Sequence, residues 1–122
     1  MKGMIISAFE RQSYDKKIPV PGKEPPIIVK GQVLRRYPDS ALMQIRLAED
    51  TDVIGLGYKF KGGTVVEFWP DGSVASGYFV NDLVIHGCDV KAGSLVKFNR
   101  DLLPKQFESD GGMQYFPGME KF

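Results

Sequence analysis

Apolar and polar residues alternate along most of the chain from residue 27 onward, and the alternation is broken at intervals by turn-forming residues. Period-2 patterning of this kind puts successive side chains on opposite faces of a strand. Candidate strands fall near 27–29, 33–37, 41–48, 53–60, 65–69, 73–80, 84–91 and 95–99. The breaks between them are Pro38-Asp39-Ser40, Glu49-Asp50, Gly62-Gly63, Pro70-Asp71-Gly72, Asn81-Asp82 and Ala92-Gly93-Ser94. Short strands at such spacing predict an antiparallel meander. Residues 4–10 add a short strand rich in β-formers. No window has a 3.6-residue period, and the one helical turn to consider, in 101–108, is weakened by Pro104. Residues 19–26 form a Pro-rich connector, extended because proline fixes φ and lacks an N–H. The prediction is a single all-β domain over 1–122, either a twisted sheet or a small closed barrel.

Within the stretch VVEFWPDGSVASGYFVND, Val66 and Phe68 share one face of a strand and Glu67 and Trp69 the other. Pro70-Asp71-Gly72 then supplies a tight hairpin turn: a preset φ, a turn-favouring carboxylate and a residue for the left-handed position. A shift of 32 residues lays RYPDSALMQIRLAED over FWPDGSVASGYFVND, with Tyr37 on Trp69, Asp39 on Asp71 and Asp50 on Asp82. A shift of 30 lays Gly63–Phe68 over Gly93–Phe98, and Arg100-Asp101-Leu102 reads as a degenerate third turn. The expectation is an internal repeat of 30–32 residues whose hairpins bury an apolar face only when stacked.

The turn pattern, clearest in EFWPDGSVASGYFVNDLVIHG, resembles MORN-type repeats, particularly the divergent bacterial variant with an aromatic, Pro, Asp or Asn, and Gly at the turn. The resemblance covers residues 30–98. The period here is longer than the family's usual one, and Ser40 stands where glycine is expected. The resemblance implies β-hairpin arrays used for protein or lipid contact, and it transfers no catalytic residues.

Composition narrows the function classes. Sixteen Lys and Arg balance fifteen Asp and Glu, a net charge of +1, so no global field draws in nucleic acid or an anionic membrane. Hydrophobic residues make up 43% of the chain and charged residues 25%, ordinary values for a folded domain. One cysteine, Cys88, cannot form an intrachain disulfide, which fits a reducing compartment. The opening MKGMIISAFER has too short an apolar run for a signal peptide, and no stretch is long enough for a membrane span. These features predict a soluble, cytoplasmic protein.

The candidate chemistry is sparse. His86 and Cys88 at i and i+2 share a strand face, but a nucleophile needs an oxyanion site and zinc needs three or four ligands. At the 32-residue shift they fall on Ile54 and Leu56, so this face is expected to be core. Asp39, Asp50, Asp71, Asp82 and Asp101 recur at turns, where Asp is favoured for local hydrogen bonding rather than for calcium. In GLGYKFKGG, no helix follows to make a phosphate cradle, and strand glycines mark bulges or close packing. No cofactor and no metal site is predicted.

Tyr37, Trp69 and Tyr78 are expected on the face opposite Val66 and Phe68, as either a second core or an interaction surface. Arg35 and Arg36 beside Tyr37 could add an anion contact. The irregular C-terminal tail over 109–122 carries Met113, Tyr115, Phe116, Met119 and Phe122, and is expected to pack on the body or on a neighbouring subunit. Two functions compete. The first is a non-enzymatic structural or protein-interaction module, a homo-oligomer or the binder of a protein partner. The second is a small β-barrel that binds or acts on a small-molecule ligand, with His86 in the site.

Overall fold

The computed structural model describes residues 16–20, 26–55 and 57–120. They form ten strands and no helix: β1 (Lys16–Val20), β2 (Ile27–Arg36), β3 (Leu42–Leu47), β4 (Val65–Phe68), β5 (Val74–Tyr78), β6 (Leu83–Ile85), β7 (Cys88–Val90), β8 (Leu95–Phe98), β9 (Pro104–Ser109) and β10 (Gly112–Tyr115). Eight of them build one antiparallel sheet in the order β1-β2-β3-β4-β5-β8-β9-β10, and β6 and β7 form a separate hairpin. The strand expected at 4–10 lies outside the described residues, as do residues 21–25 of the Pro-rich segment.

The sheet is open. Among the described residues β1 pairs only with β2, and β10 only with β9. Of the two architectures expected, the antiparallel meander sheet therefore holds and the small closed barrel is corrected. The physical reason lies in the apolar face, which is covered by other segments instead of by the sheet curling onto itself. Val33, Ile45, Val66, Val96 and Phe107 project from β2, β3, β4, β8 and β9 to that face and are buried. Phe60 and Phe79, both outside the strands, pack edge to face at 5.0 Å. Both also lie near Phe98, at 6.4 and 6.3 Å between ring centroids. Ile85 and Val90 of the β6–β7 hairpin, with Val53, Ile54 and Phe116, complete the same core.

Three hairpin turns close with the same bonds. Ser40 N–H donates to the Tyr37 carbonyl, and Tyr37 N–H to Ala41, both at 2.8 Å. Gly72 donates to Trp69 at 2.9 Å and Trp69 to Ser73 at 2.8 Å; Leu102 donates to Asn99 at 3.0 Å and Asn99 to Leu103 at 2.9 Å. The third residue of each turn has positive φ: Ser40 77°, Gly72 94° and Leu102 65°. The helical turn considered for 101–108 is thus a hairpin turn followed by β9. Asn99 Oδ1 accepts from the Asp101 and Leu103 amides at 2.9 and 3.0 Å, which closes the turn without a proline. Pro104 sits at the first residue of its strand, beside a register shift, where its missing N–H is tolerated.

Two other predicted strands break up. Residues 53–55 and 57–60 lie in a loop wound on the Asp52 carboxylate. Oδ1 accepts from Ile54 and Gly55 at 3.1 and 2.7 Å, and Oδ2 accepts from Gly57 at 2.7 Å. Gly55 and Gly57, at φ 87° and 92°, supply the left-handed backbone this winding needs. Residues 84–91 fold into β6, a two-residue turn and β7. His86 and Gly87 both have positive φ, 51° and 78°, and Ile85 pairs with Cys88 across them. This is a type I′ turn, the connection whose twist matches a β-hairpin.

Candidate functional site

The outer face of the sheet has its own order. The register sets Arg35, Gln44, Glu67, Ser76, Lys97, Gln106 and Tyr115 side by side, one from each of seven strands. From β3 to β9 they alternate with the residues of the apolar face, and the β-bulge between Val33 and Arg35 turns Arg35 to the same outer face. At the centre, the Glu67 carboxylate accepts from Gln44 Nε2 at 2.6 Å and from Ser76 Oγ at 3.1 Å. Ser76 is itself buried. Glu67 is thus served on both oxygens by neutral donors. Lys97 and Lys105 form no ion pair with another described residue.

Tyr37 and Trp69 flank this row, two residues beyond Arg35 and Glu67 along the chain, each at the mouth of a hairpin turn. The Tyr37 hydroxyl donates to the Phe68 carbonyl at 2.7 Å, and Trp69 Nε1 to the Phe98 carbonyl at 3.3 Å. Each aromatic ring is therefore tied to the last residue of a β-strand, 31 and 29 residues farther along the chain. Arg100 lies over the Trp69 ring, 5.2 Å from its centroid, within cation–π range. The two rings, with Met43, Glu67, Lys97 and Lys105, line an open groove of about 380 Å³. Both rings are half-buried, so this face is neither a sealed second core nor a bare aromatic patch.

The other sequence candidates lie elsewhere. Tyr78 is half-buried, pairs with Leu95, and does not line the groove. His86 is exposed at the tip of the β6–β7 turn, which corrects the expectation that it faces the core. With the sheet open, there is also no barrel mouth for it to occupy. Its ring meets the edge of Phe116 at 6.0 Å between centroids. Cys88 Sγ approaches the His86 carbonyl at 3.9 Å, so the pair meets through the backbone.

Four of the five turn acids hold backbone amides. Asp39 accepts from Ala41, Asp50 from Gly62, Asp71 from Ser73 and Asp82 from Ala92, at 2.7–3.1 Å. At the third hairpin turn that role passes from Asp101 to Asn99. The Ser73 amide, then the Ser73 hydroxyl, hold the Asp71 carboxyl below its ordinary value. Among the described residues no group of three or more His, Cys, Asp or Glu is placed to hold a metal ion. Nor is any helix there long and apolar enough to cross a membrane.

Sequence reasoning identified Tyr37 and Trp69 and put Glu67 on the face of Trp69, but it singled out none of Met43, Lys97, Lys105 and Gln106, which also line the groove. Glu67, Lys97 and Gln106 were legible as outward alternates of Val66, Val96 and Phe107. Met43 and Lys105 carried no such signal. Compared with family profiles, with curated proteins and with solved structures, the chain has no match.

Proposed function

We propose that the chain is a non-enzymatic, cytoplasmic interaction module built from MORN-like hairpin repeats, and that its outer groove binds an acidic, aromatic-bearing segment of a partner protein. One observation carries this reading. Around the groove, two aromatic rings stand beside Lys97 and Lys105, while Glu67, the only carboxylate among the described lining residues, is already engaged by Gln44 and Ser76. The surplus in the groove is cationic and aromatic. An incoming carboxylate meets two lysines that form no ion pair with another described residue, and an aromatic or aliphatic side chain finds Trp69 and Met43. Half-buried aromatics beside charges are the usual anchors of protein contacts.

The repeat part of the proposal is supported by the matching turns at 37–41, 69–73 and 99–103. It is supported again by the second set of turns: Gly63 N–H donates to Leu47 and Gly93 N–H to Phe79, each at 2.7–2.8 Å, and Asp50 and Asp82 cap the preceding residues. In this reading the repeat's task is to bring two turn aromatics to one groove.

The test is selection of a displayed random-peptide library on the intact protein, on Trp69→Ala and on Lys97→Glu/Lys105→Glu. The wild type should enrich acidic peptides that contain aromatic residues, and both variants should lose them. No enrichment, or enrichment that both variants retain, would overturn the proposal.

A further inference from the structure

The two edges of the sheet differ in kind. An edge strand offers unpaired N–H and C=O groups, and proteins blunt such edges with lysine and proline. β1 carries these devices: Lys16 and Lys17 are exposed, and Pro19 lies within the strand. β10, Gly-Met-Gln-Tyr, has neither charge nor proline, and all four of its residues are exposed. Met113 and Tyr115 are among the few large apolar side chains left in solvent, at 38% and 45% exposure.

β10 is also held in place. A tight turn joins it to β9 with Ser109 opposite Gly112, and the Ser109 hydroxyl donates to the Gly112 carbonyl at 3.0 Å. At its other end Phe116 is fully buried, 4.6 Å from the Phe107 ring. The Phe116 amide donates to the Lys105 carbonyl on β9. Backbone groups alternate along a strand, so Gln114 also turns its N–H and C=O toward β9, while Met113 and Tyr115 turn theirs outward. The outward-bonding residues are thus the two that carry exposed apolar side chains.

We propose that β10 is a self-association strand, pairing antiparallel with β10 of a second copy about a two-fold axis at Gln114. In that register Met113 of one copy faces Tyr115 of the other, and each pairing exchanges both backbone bonds. The thioether meets the phenol ring, a favourable sulfur–aromatic contact. The two Gln114 amides, each donor and acceptor, meet at the axis on the opposite face. No like charges are brought together, and the segment is complementary to itself, as an isologous interface requires. The pairing joins two eight-stranded sheets into one. A four-residue strand covers less than the ~1,600 Å² of a standard interface, so the dimer dissociates on dilution. This inference is independent of what the groove binds.

Sedimentation velocity of the intact chain from about 10 μM to about 1 mM tests it. The mass should rise from one chain toward two over that range. Met113→Pro removes an outward N–H while sparing the β9 bonds, and Tyr115→Lys adds a charge to the edge. Either variant, folded by circular dichroism, should stay monomeric throughout. A wild type that is monomeric at every concentration overturns the proposal and leaves the edge to a strand from another protein. Variants that dimerise like the wild type also overturn it, because another surface would then join the copies.

Discussion

Gly77 lies directly beneath the ring of Phe60, so close that a Cβ on Gly77 would overlap the ring carbons. Gly77 has no positive φ, so its requirement for glycine is one of space, not conformation. Gly77→Ala should destabilise the protein by about 1–3 kcal/mol through overpacking, read as a lower denaturant midpoint at unchanged slope. Pairing it with Phe60→Leu should cost less than the two single changes added together, because the smaller side chain makes room. Strict additivity would show that the ring does not set the constraint.

Ser40 occupies the left-handed position that Gly72 occupies in the next hairpin turn. A non-glycine residue there costs roughly 1–2 kcal/mol, offset in part by glycine's greater chain entropy. Ser40→Gly should therefore raise stability by about 0.5–1 kcal/mol, and Gly72→Ser should lower it by a similar amount. Thermal denaturation of both variants checks the opposite signs. A loss of stability in Ser40→Gly would mean that the serine contributes something other than a strained turn.

His86 stands at the first position of a type I′ turn, where Asn-Gly is the favoured pair. His86→Asn should be neutral or stabilising, and His86→Ala should cost about 1 kcal/mol. Equal losses in both variants would point instead to the imidazole's edge contact with Phe116.

The Asp71 carboxyl is held below its ordinary value of 3.8, chiefly by the Ser73 amide. A carboxylate with a depressed folded-state pKa stabilises the fold above its unfolded pKa, and that stabilisation fades as pH falls through the folded one. The melting-temperature gap between wild type and Asp71→Ala should thus be constant at neutral pH and narrow below pH 3.8. Because Asp71 is exposed, the effect is small and should shrink further with salt. A gap independent of pH would assign the turn's stability to geometry alone.

The all-β class and most strands were legible because alternation and turn residues act locally. Val66, Phe68, Val96 and Phe98 are buried as period 2 demands. The failures came where a side chain's partner is distant or its backbone unusual. Residues 53–60 alternate, yet the Asp52 carboxylate gathers three amides and overrides strand pairing. His86-Gly87 is a turn pair that lacks the usual Asn or Asp, so an eight-residue run read as one strand. Openness of the sheet was not legible either, because Phe60 and Phe79 cover its apolar face from outside the strands. At the groove, the aromatics were visible, but the bonds that aim them at the Phe68 and Phe98 carbonyls were not.

In the large sheet each strand's partners are its sequence neighbours, apart from the junction of β5 and β8 across the small β6–β7 hairpin. Loop closure is therefore short or moderate at every step, and no strand must wait for a distant one before it pairs. Folding speed in β proteins falls as contacts become less local. This chain should accordingly fold faster than a Greek-key sandwich of equal length, and its strands can be added in the order of synthesis. Growth by this route ends with β10, which makes the undefended edge the last part of the sheet to form.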